Sequence, residues 1–332
     1  MHIADGILSN EVCLGAGVLA AGAIGLSLRK LNDTVSLRTV PLTGMMAAVI
    51  FAAQMVKFPL AFAPAYGHLL GGVLAAIVVG PWAGCVAMAI VLFLQMALFA
   101  DGGWLAYGAN ALNMGVVGSL GGHAIYSIIS RRFAGPRGKI AGAVVAAWLS
   151  VVAGSALFSV EFALSHRGGE FDLPKLFAVM TTLHSLVGVG EALITGGVVS
   201  YLLAVWPDLI DAPSRPPGVI AGLGRVVWTG AVVALAVAAF LAPFASEGAD
   251  ALEQTAERFK FDKFERTPVA LVLPDYEVPI PGVDVSTGAW HKLSVALAGV
   301  FGTSAVLGIS LVLGRVARTR LAARDAEATH AG

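Results

Sequence analysis

Across 332 residues the chain carries 57% hydrophobic and only 13% charged residues, with a mean hydropathy of +0.82. That is too apolar for a soluble domain of this length and implies an integral membrane protein. Formal charge is balanced, with 21 basic and 21 acidic residues, and no basic patch offers a surface for nucleic acid.

The chain opens with a polar hook, Met1-His2-Ile3-Ala4-Asp5-Gly6, ahead of its first apolar run. A histidine directly after the methionine sets three nitrogens in chelating order: the Met1 α-amine, the His2 amide and the His2 imidazole. A metal held by all three closes a five-membered and a six-membered ring. An amide nitrogen binds only after losing its proton, and Ni(II) and Cu(II), which favour square-planar nitrogen sites, are the ions best able to displace it. A planar set needs one more nitrogen, and His68, in Tyr66-Gly67-His68-Leu69-Leu70-Gly71-Gly72, is the best-placed donor. On spacing alone the alternative is a frayed terminal histidine and an interfacial His68. Gly6 permits a sharp turn, and Asp5 either accepts hydrogen bonds that fold the hook towards His68 or caps the first helix.

Apolar stretches that reach or approach the ~20 residues of a membrane span cover 11–28, 40–58, 68–80, 82–100, 104–130, 139–160, 174–206, 218–243 and 289–314. The fold expected is therefore all-α, a polytopic transmembrane bundle of about nine spans. Abundant Gly and Ala suit close helix contact in lipid. Arg29 and Lys30 follow the first run instead of preceding it, so it reads as a retained span and not a secretion signal. With residue 1 outside, the inner segments hold Arg29, Lys30, Arg38, then Arg131, Arg132, Arg137, Lys139, then Arg215, Arg225, and finally Arg315, Arg318, Arg320 and Arg324. This places the N-terminus outside and the C-terminus in the cytoplasm. Cys13 and Cys85 then fall near opposite faces, out of reach of a disulfide.

A proline-rich break over 207–217 divides seven spans (1–206) from two (218–320). The second unit carries a long hydrophilic outer loop, 244–288, and residues 321–332, with His330, read as a disordered tail. Polar groups within the apolar stretches are Lys57, Gln95, Asp101, Asn110, Asn113, Glu161, His184 and Glu191, and such groups are costly in lipid and often functional. Asn110 and Asn113 share a helical face and suit orientation of metal-bound groups. His184 and Glu191 also share one, and suit structure or gating more than coordination. Ala48 with Ala52, or Gly17, Ala21 and Gly25, offer small-residue faces for docking a membrane partner.

Met1 to Gly6, Gly67-His68-Leu69-Leu70-Gly71-Gly72, Gly80-Pro81-Trp82 and Asn110-Ala-Leu-Asn-Met-Gly115 together resemble the cobalt/nickel substrate-binding subunit of energy-coupling-factor transporters, the CbiM/NikM type. The resemblance runs through residues 1–206. It implies a metal held through four nitrogens by Met1, His2 and His68, with Ni(II) or Co(II) as cargo and no permanent cofactor. It also implies a bacterial or archaeal cytoplasmic membrane. Glu247 to Glu253 and Pro274 to Pro279 resemble the two-span CbiN/NikN accessory subunit, with Ala249 and Ala251 standing where that family's Pro-Asp-Gly-Leu-Glu stretch has proline and glycine. Fusion with this loop type ranks nickel above cobalt. The chain has no Gly-x-x-x-x-Gly-Lys-Ser/Thr loop, so the resemblance assigns ATP hydrolysis to partners: a transmembrane coupling protein and two ATP-binding-cassette ATPases. Two alternatives from other classes are a membrane metalloenzyme, for which no His-Glu-x-x-His is present, and a haem-bearing redox subunit using His123 and His184.

Overall fold

The computed structural model describes residues 1–34, 39–211, 222–246, 248–266, 272–278 and 288–330. Helix α1 spans Asn10–Thr34, α2 Thr39–Gln54, α3 Gly72–Val79, α4 Pro81–Phe99, α5 Tyr107–Arg132, α6 Pro136–Ser165, α7 Leu173–Val205 and α8 Pro207–Asp211. Beyond residues 212–221 come α9 (Leu223–Phe244), α10 (Ala251–Phe259) and α11 (Gly288–His330). Two short strands, β1 (Phe58–Pro59) and β2 (Tyr66–Gly67), pair antiparallel just before His68.

Local chemistry sets several of these boundaries. Pro81 and Pro136 stand in the first turns of α4 and α6, where a missing N–H costs nothing. Asp172 caps α7 by accepting from the Lys175 amide, and Asp250 with Glu253 forms a reciprocal capping box on α10.

Among the described residues seven helices, α1, α4, α5, α6, α7, α9 and α11, are long and apolar enough to cross a membrane, and the chain is a polytopic helical bundle. Two stretches expected as spans are shorter. α2 has 16 residues and α3 has 8. At a rise of 1.5 Å per residue, α3 reaches only about 12 Å against a hydrocarbon core of ~30 Å. The 68–80 run is divided because Glu191 draws the amides of Leu70 and Gly71 out of helical pairing. Of the 207–217 break, residues 207–211 form α8 and the remainder lies outside the described residues. Helix α11 continues to His330, where the composition had suggested a disordered tail. Its last turns are rich in Ala and Arg, both strong helix formers.

The helices α6 and α7 make the most extensive pair, and both later spans, α9 and α11, pack on α2. Ala48 and Ala52 are fully buried against Ala234 and Ala238. That small-residue face is therefore filled from within the chain by α9 and is not open to a coupling protein. The acidic segment after α9 folds over the hook. Tyr66 N donates to Ala249 O at 3.0 Å, Arg266 N to Asp5 O at 2.8 Å and Leu273 N to Leu98 O at 2.9 Å. Phe261 of this segment is fully buried and meets Phe162 of α6 with ring centroids 4.6 Å apart, a burial that contributes about 1.5–3 kcal/mol.

Candidate metal centre

The hook is held from its second residue onward by side chains from other elements. Ile3 N donates to Asn110 Oδ1 at 2.7 Å and Ile3 O accepts from Asn110 Nδ2 at 3.0 Å. Asn110 thus fixes the peptide directly after His2. The Asp5 carboxylate accepts from the amides of Trp104, Leu105 and Ala106 at 2.9, 2.8 and 3.0 Å. Asp5 does fold the hook back, but onto the turn before α5 and not onto His68. Gly6 has φ 91, and a Cβ there would lie 2.0 Å from the Phe264 carbonyl oxygen, so only glycine admits the accessory segment at this point. Met1 and Ile3 are buried.

These restraints bring the predicted ligands together. The Met1 amine lies 2.9 Å from His68 Nε2, and the rings of His2 and His68 stack with centroids 5.4 Å apart and 18° between planes. Two nitrogens at right angles about one ion, each ~2.0 Å from it, are separated by roughly 2.8 Å. The 2.9 Å between Met1 and His68 is that of a hydrogen bond from the ammonium to the ring, and it is also close to this separation.

Hydrogen bonds also constrain the tautomers. His68 Nδ1 donates to Leu69 O at 3.0 Å, which leaves the Nε2 lone pair facing the amine. Gln54 Nε2 donates to Leu70 O at 2.8 Å and Gln95 Nε2 to Gln54 Oε1 at 2.7 Å, so Gln95 Oε1 is the acceptor for His2 Nε2 at 3.2 Å. Each ring nitrogen of His2 thus meets an acceptor, Gln95 Oε1 at Nε2 and Asp101 Oδ1 at 3.1 Å from Nδ1, and Nδ1, the atom that closes the six-membered chelate ring, must shed any proton shared with Asp101 to bind metal. Burial lowers the pKa of His2, with the Met1 ammonium adding to the effect and Asp101 opposing it. His68 is pushed well below its ordinary value by burial, then by the ammonium and His2. Neutral imidazoles are the form a metal requires.

The loop bearing His68 rests on α7. Glu191 accepts from Leu70 N at 2.6 Å and Gly71 N at 2.8 Å. Gly71 has φ 81, and a Cβ there would meet Ile50 at 2.9 Å. His184, on the same face of α7, donates from Nδ1 to Met180 O at 2.9 Å and borders the small space between Met1, His68 and Asp250. Asn113 does not join Asn110: it donates to Glu161 Oε2 of α6 at 2.7 Å. The reason lies in α5, where Ala111–Gly121 winds as a π-helix, and the wider turn separates two residues that would share an α-helical face.

Sequence reasoning missed the role of Asp250. Its carboxylate lies 2.5 Å from the Met1 amine and 3.9 Å from His68 Nε2. Burial alone pushes this carboxyl up, but the ammonium and His68 hold it well below the usual carboxylate range. The available signal was the altered accessory motif, in which Asp250 and Glu253 keep their acidic positions. Lys57, placed by the sequence within a span, sits beyond α2 and binds this motif, at 3.2 Å from Gly248 O and 3.7 Å from Glu253.

His2 and His68 open onto a cavity of about 880 Å³ between the bundle and the accessory segment. Its lining includes Asp5, Asp101, Asp250, Glu253, Glu257, Asp262, Glu265, Asp275 and Glu277 against one cationic side chain, Lys57. A cleft so biased concentrates cations. Among the described residues no group of three or more His, Cys, Asp or Glu side chains is arranged to hold an ion.

A family model described as cobalt uptake substrate-specific transmembrane region matches residues 2–209, and a PDGLE domain matches 224–319. The chain is 34% identical over 320 residues to a putative fused nickel transport protein NikMN of Archaeoglobus fulgidus, covering 96% of this chain and 100% of that one. A fused nickel transport protein NikMN of Rhodobacter capsulatus is 32% identical over 246 residues, covering 68% of this chain and 70% of that one. A crystal structure of a truncated transition metal transporter matches with a TM-score of 0.56 and 28% identity, over 61% of this chain and 99% of its own.

Proposed function

From the premise that this chain belongs to the cobalt uptake substrate-specific transmembrane family, with a PDGLE domain at its C-terminal end, we propose that it captures Ni(II), and second Co(II), from outside the cell for import. It is a multi-pass membrane transport protein and not an enzyme, which sets aside the metalloenzyme and haem readings. The ligands are the Met1 amine, the deprotonated His2 amide, His2 Nδ1 and His68 Nε2. The observation that carries this reading is the 2.9 Å approach of the Met1 amine to His68 Nε2, at the floor of an acidic cavity.

The chemistry follows from the donor set. A planar arrangement of four nitrogens favours Ni(II) and Cu(II) and disfavours Zn(II), which prefers a tetrahedron. Asn110, Gln95 and Glu191 fix the hook, the His2 ring and the His68 loop, so the chain is largely organised before metal arrives. Asp250 faces the amine from the accessory unit; the ammonium loses one proton to free its single lone pair for metal, and the carboxylate accepts a hydrogen bond from an N–H that remains.

The topology proposed has residue 1 outside and the C-terminus in the cytoplasm, in keeping with the basic residues of the inner segments. Residues 1–206 form the capture unit and 218–320 the accessory unit. Transport inward draws on ATP hydrolysed by two partner ATPases through a transmembrane coupling protein in the cytoplasmic membrane. With Ala48 and Ala52 occupied by α9, the exposed face of α1 around Ala21 and Gly25 is the small-residue surface left for that protein. Nickel and cobalt titrations of C-terminally tagged protein, beside His2→Ala and His68→Ala, test the reading. One equivalent of nickel with a planar-type absorption spectrum, lost in both variants, is expected; binding retained in both would overturn it.

A further inference from the structure

His2 is engaged by the accessory unit through a route that the metal site itself does not need. The Tyr276 phenol donates to Asp101 Oδ2 at 2.7 Å, and Asp101 Oδ1 lies 3.1 Å from His2 Nδ1. Tyr276 stacks on Phe99, the last residue of α4, with centroids 4.5 Å apart and planes 12° from parallel. Asp275 and Tyr276 both adopt left-handed backbone, with φ 55 and 60. Side-chain-bearing residues adopt that conformation at a cost, and two in succession persist only where the surroundings enforce them. Here the enforced geometry aims the phenol at Asp101. Burial, then the charge of Asp101, raises the Tyr276 pKa well above its ordinary value, so the phenol keeps the proton it donates.

His2 Nε2 is engaged by Gln95, which makes Nδ1 the nitrogen a metal must take, and Asp101 stands against that atom. We propose that Tyr276 and Asp101 form a latch on His2, in which the accessory unit holds the carboxylate as acceptor for a proton on the ligating nitrogen until an ion displaces that proton. The latch rests on the metal-site reading above. Tyr276 touches no ligand atom and acts by positioning Asp101. It sets how fast an ion is admitted, not how many are bound.

The test is stopped-flow Ni(II) association with the full chain in detergent, native Met1 retained, for wild type, Tyr276→Phe, Asp101→Ala and the double variant. Tyr276→Phe keeps the ring and its stacking on Phe99. Loss of one ordinary hydrogen bond predicts association about fivefold faster, with one-to-one stoichiometry and the absorption spectrum unchanged. Asp101→Ala is also faster, and adding Tyr276→Phe to it changes nothing more. An unchanged or slower rate in Tyr276→Phe overturns the latch, as does an undiminished Tyr276→Phe effect in the Asp101→Ala background. If Tyr276→Phe does not fold, Asp101→Ala decides alone, by a faster or an unchanged rate. A wild type without one-to-one nickel binding overturns the metal-site reading, and the latch with it.

Discussion

Glu191 supports the loop of the proposed ligand His68 without touching the ring, and its removal has a magnitude that the geometry fixes. The side chain is 1% exposed and accepts from the two amides that follow Leu69 at 2.6 and 2.8 Å. Glu191→Ala leaves both N–H groups buried without acceptors, at about 1–3 kcal/mol each, and opens a cavity beside them. Gly71 and Ile50 still set the start of α3, so the helix forms and the loss falls on residues 68–71. If about 3 kcal/mol of it appears in binding, nickel affinity drops roughly a hundredfold. Glu191→Gln keeps one carbonyl acceptor but turns an NH2 towards the other amide, and its affinity falls between. Competition titration beside a melting curve separates folding from binding. A folded Glu191→Ala protein with wild-type nickel affinity would refute the claim that α7 positions His68.

Asp5→Ala removes the acceptor for three amides ahead of α5; a loss of about 1–2 kcal/mol is expected from helix-cap precedents, read as a lower melting temperature with weaker metal binding, and an unchanged melt would contradict it. Ala48→Leu overpacks the contact with Ala234 and Ala238 and should cost about 1–3 kcal/mol; limited proteolysis after α8 checks whether the accessory unit is loosened, and no change in cleavage counts against the packing described. Apo-protein stability should fall in acid. His2 and His68 have folded pKa values below 6.5, so the unfolded chain binds more protons from about that pH downward and folding loses free energy there; Asp250, held low, adds a further loss below its unfolded value near 3.9. Melting temperatures at pH 7.5, 6 and 5 should decline in wild type and less steeply in His68→Ala, whereas parallel slopes would exclude His68 as a source.

Much of this architecture is legible in the sequence because its signals are local. Apolar length marks the long helices, and Gly6 marks a turn that the structure places at φ 91. What the sequence conceals is pairing across the chain. Asp250 meets Met1 across 249 positions, and nothing near either residue announces the other. The π-winding of α5 has no periodic signature of its own, so Asn110 and Asn113 read as neighbours although they serve different helices. Ala48 and Ala52 have the composition of a docking face whichever helix fills it, and here the filler is α9 of the same chain. The 68–80 stretch reads as a span because hydropathy does not register that Glu191 captures two of its amides.

The central claim is that the amine and the first amide of the chain are themselves ligands. It is tested most directly by placing a short histidine-free tag ahead of Met1 and titrating nickel into that protein beside the native one. The tag turns the Met1 amine into a peptide nitrogen and leaves no free amine one or two residues before a histidine, while both histidines and the helices stay in place. Loss of the planar-type absorption and of one-to-one binding, with helical content unchanged, is the predicted result. Nickel bound with native affinity and spectrum would contradict the chelate and leave His68 and the acidic cavity to account for binding.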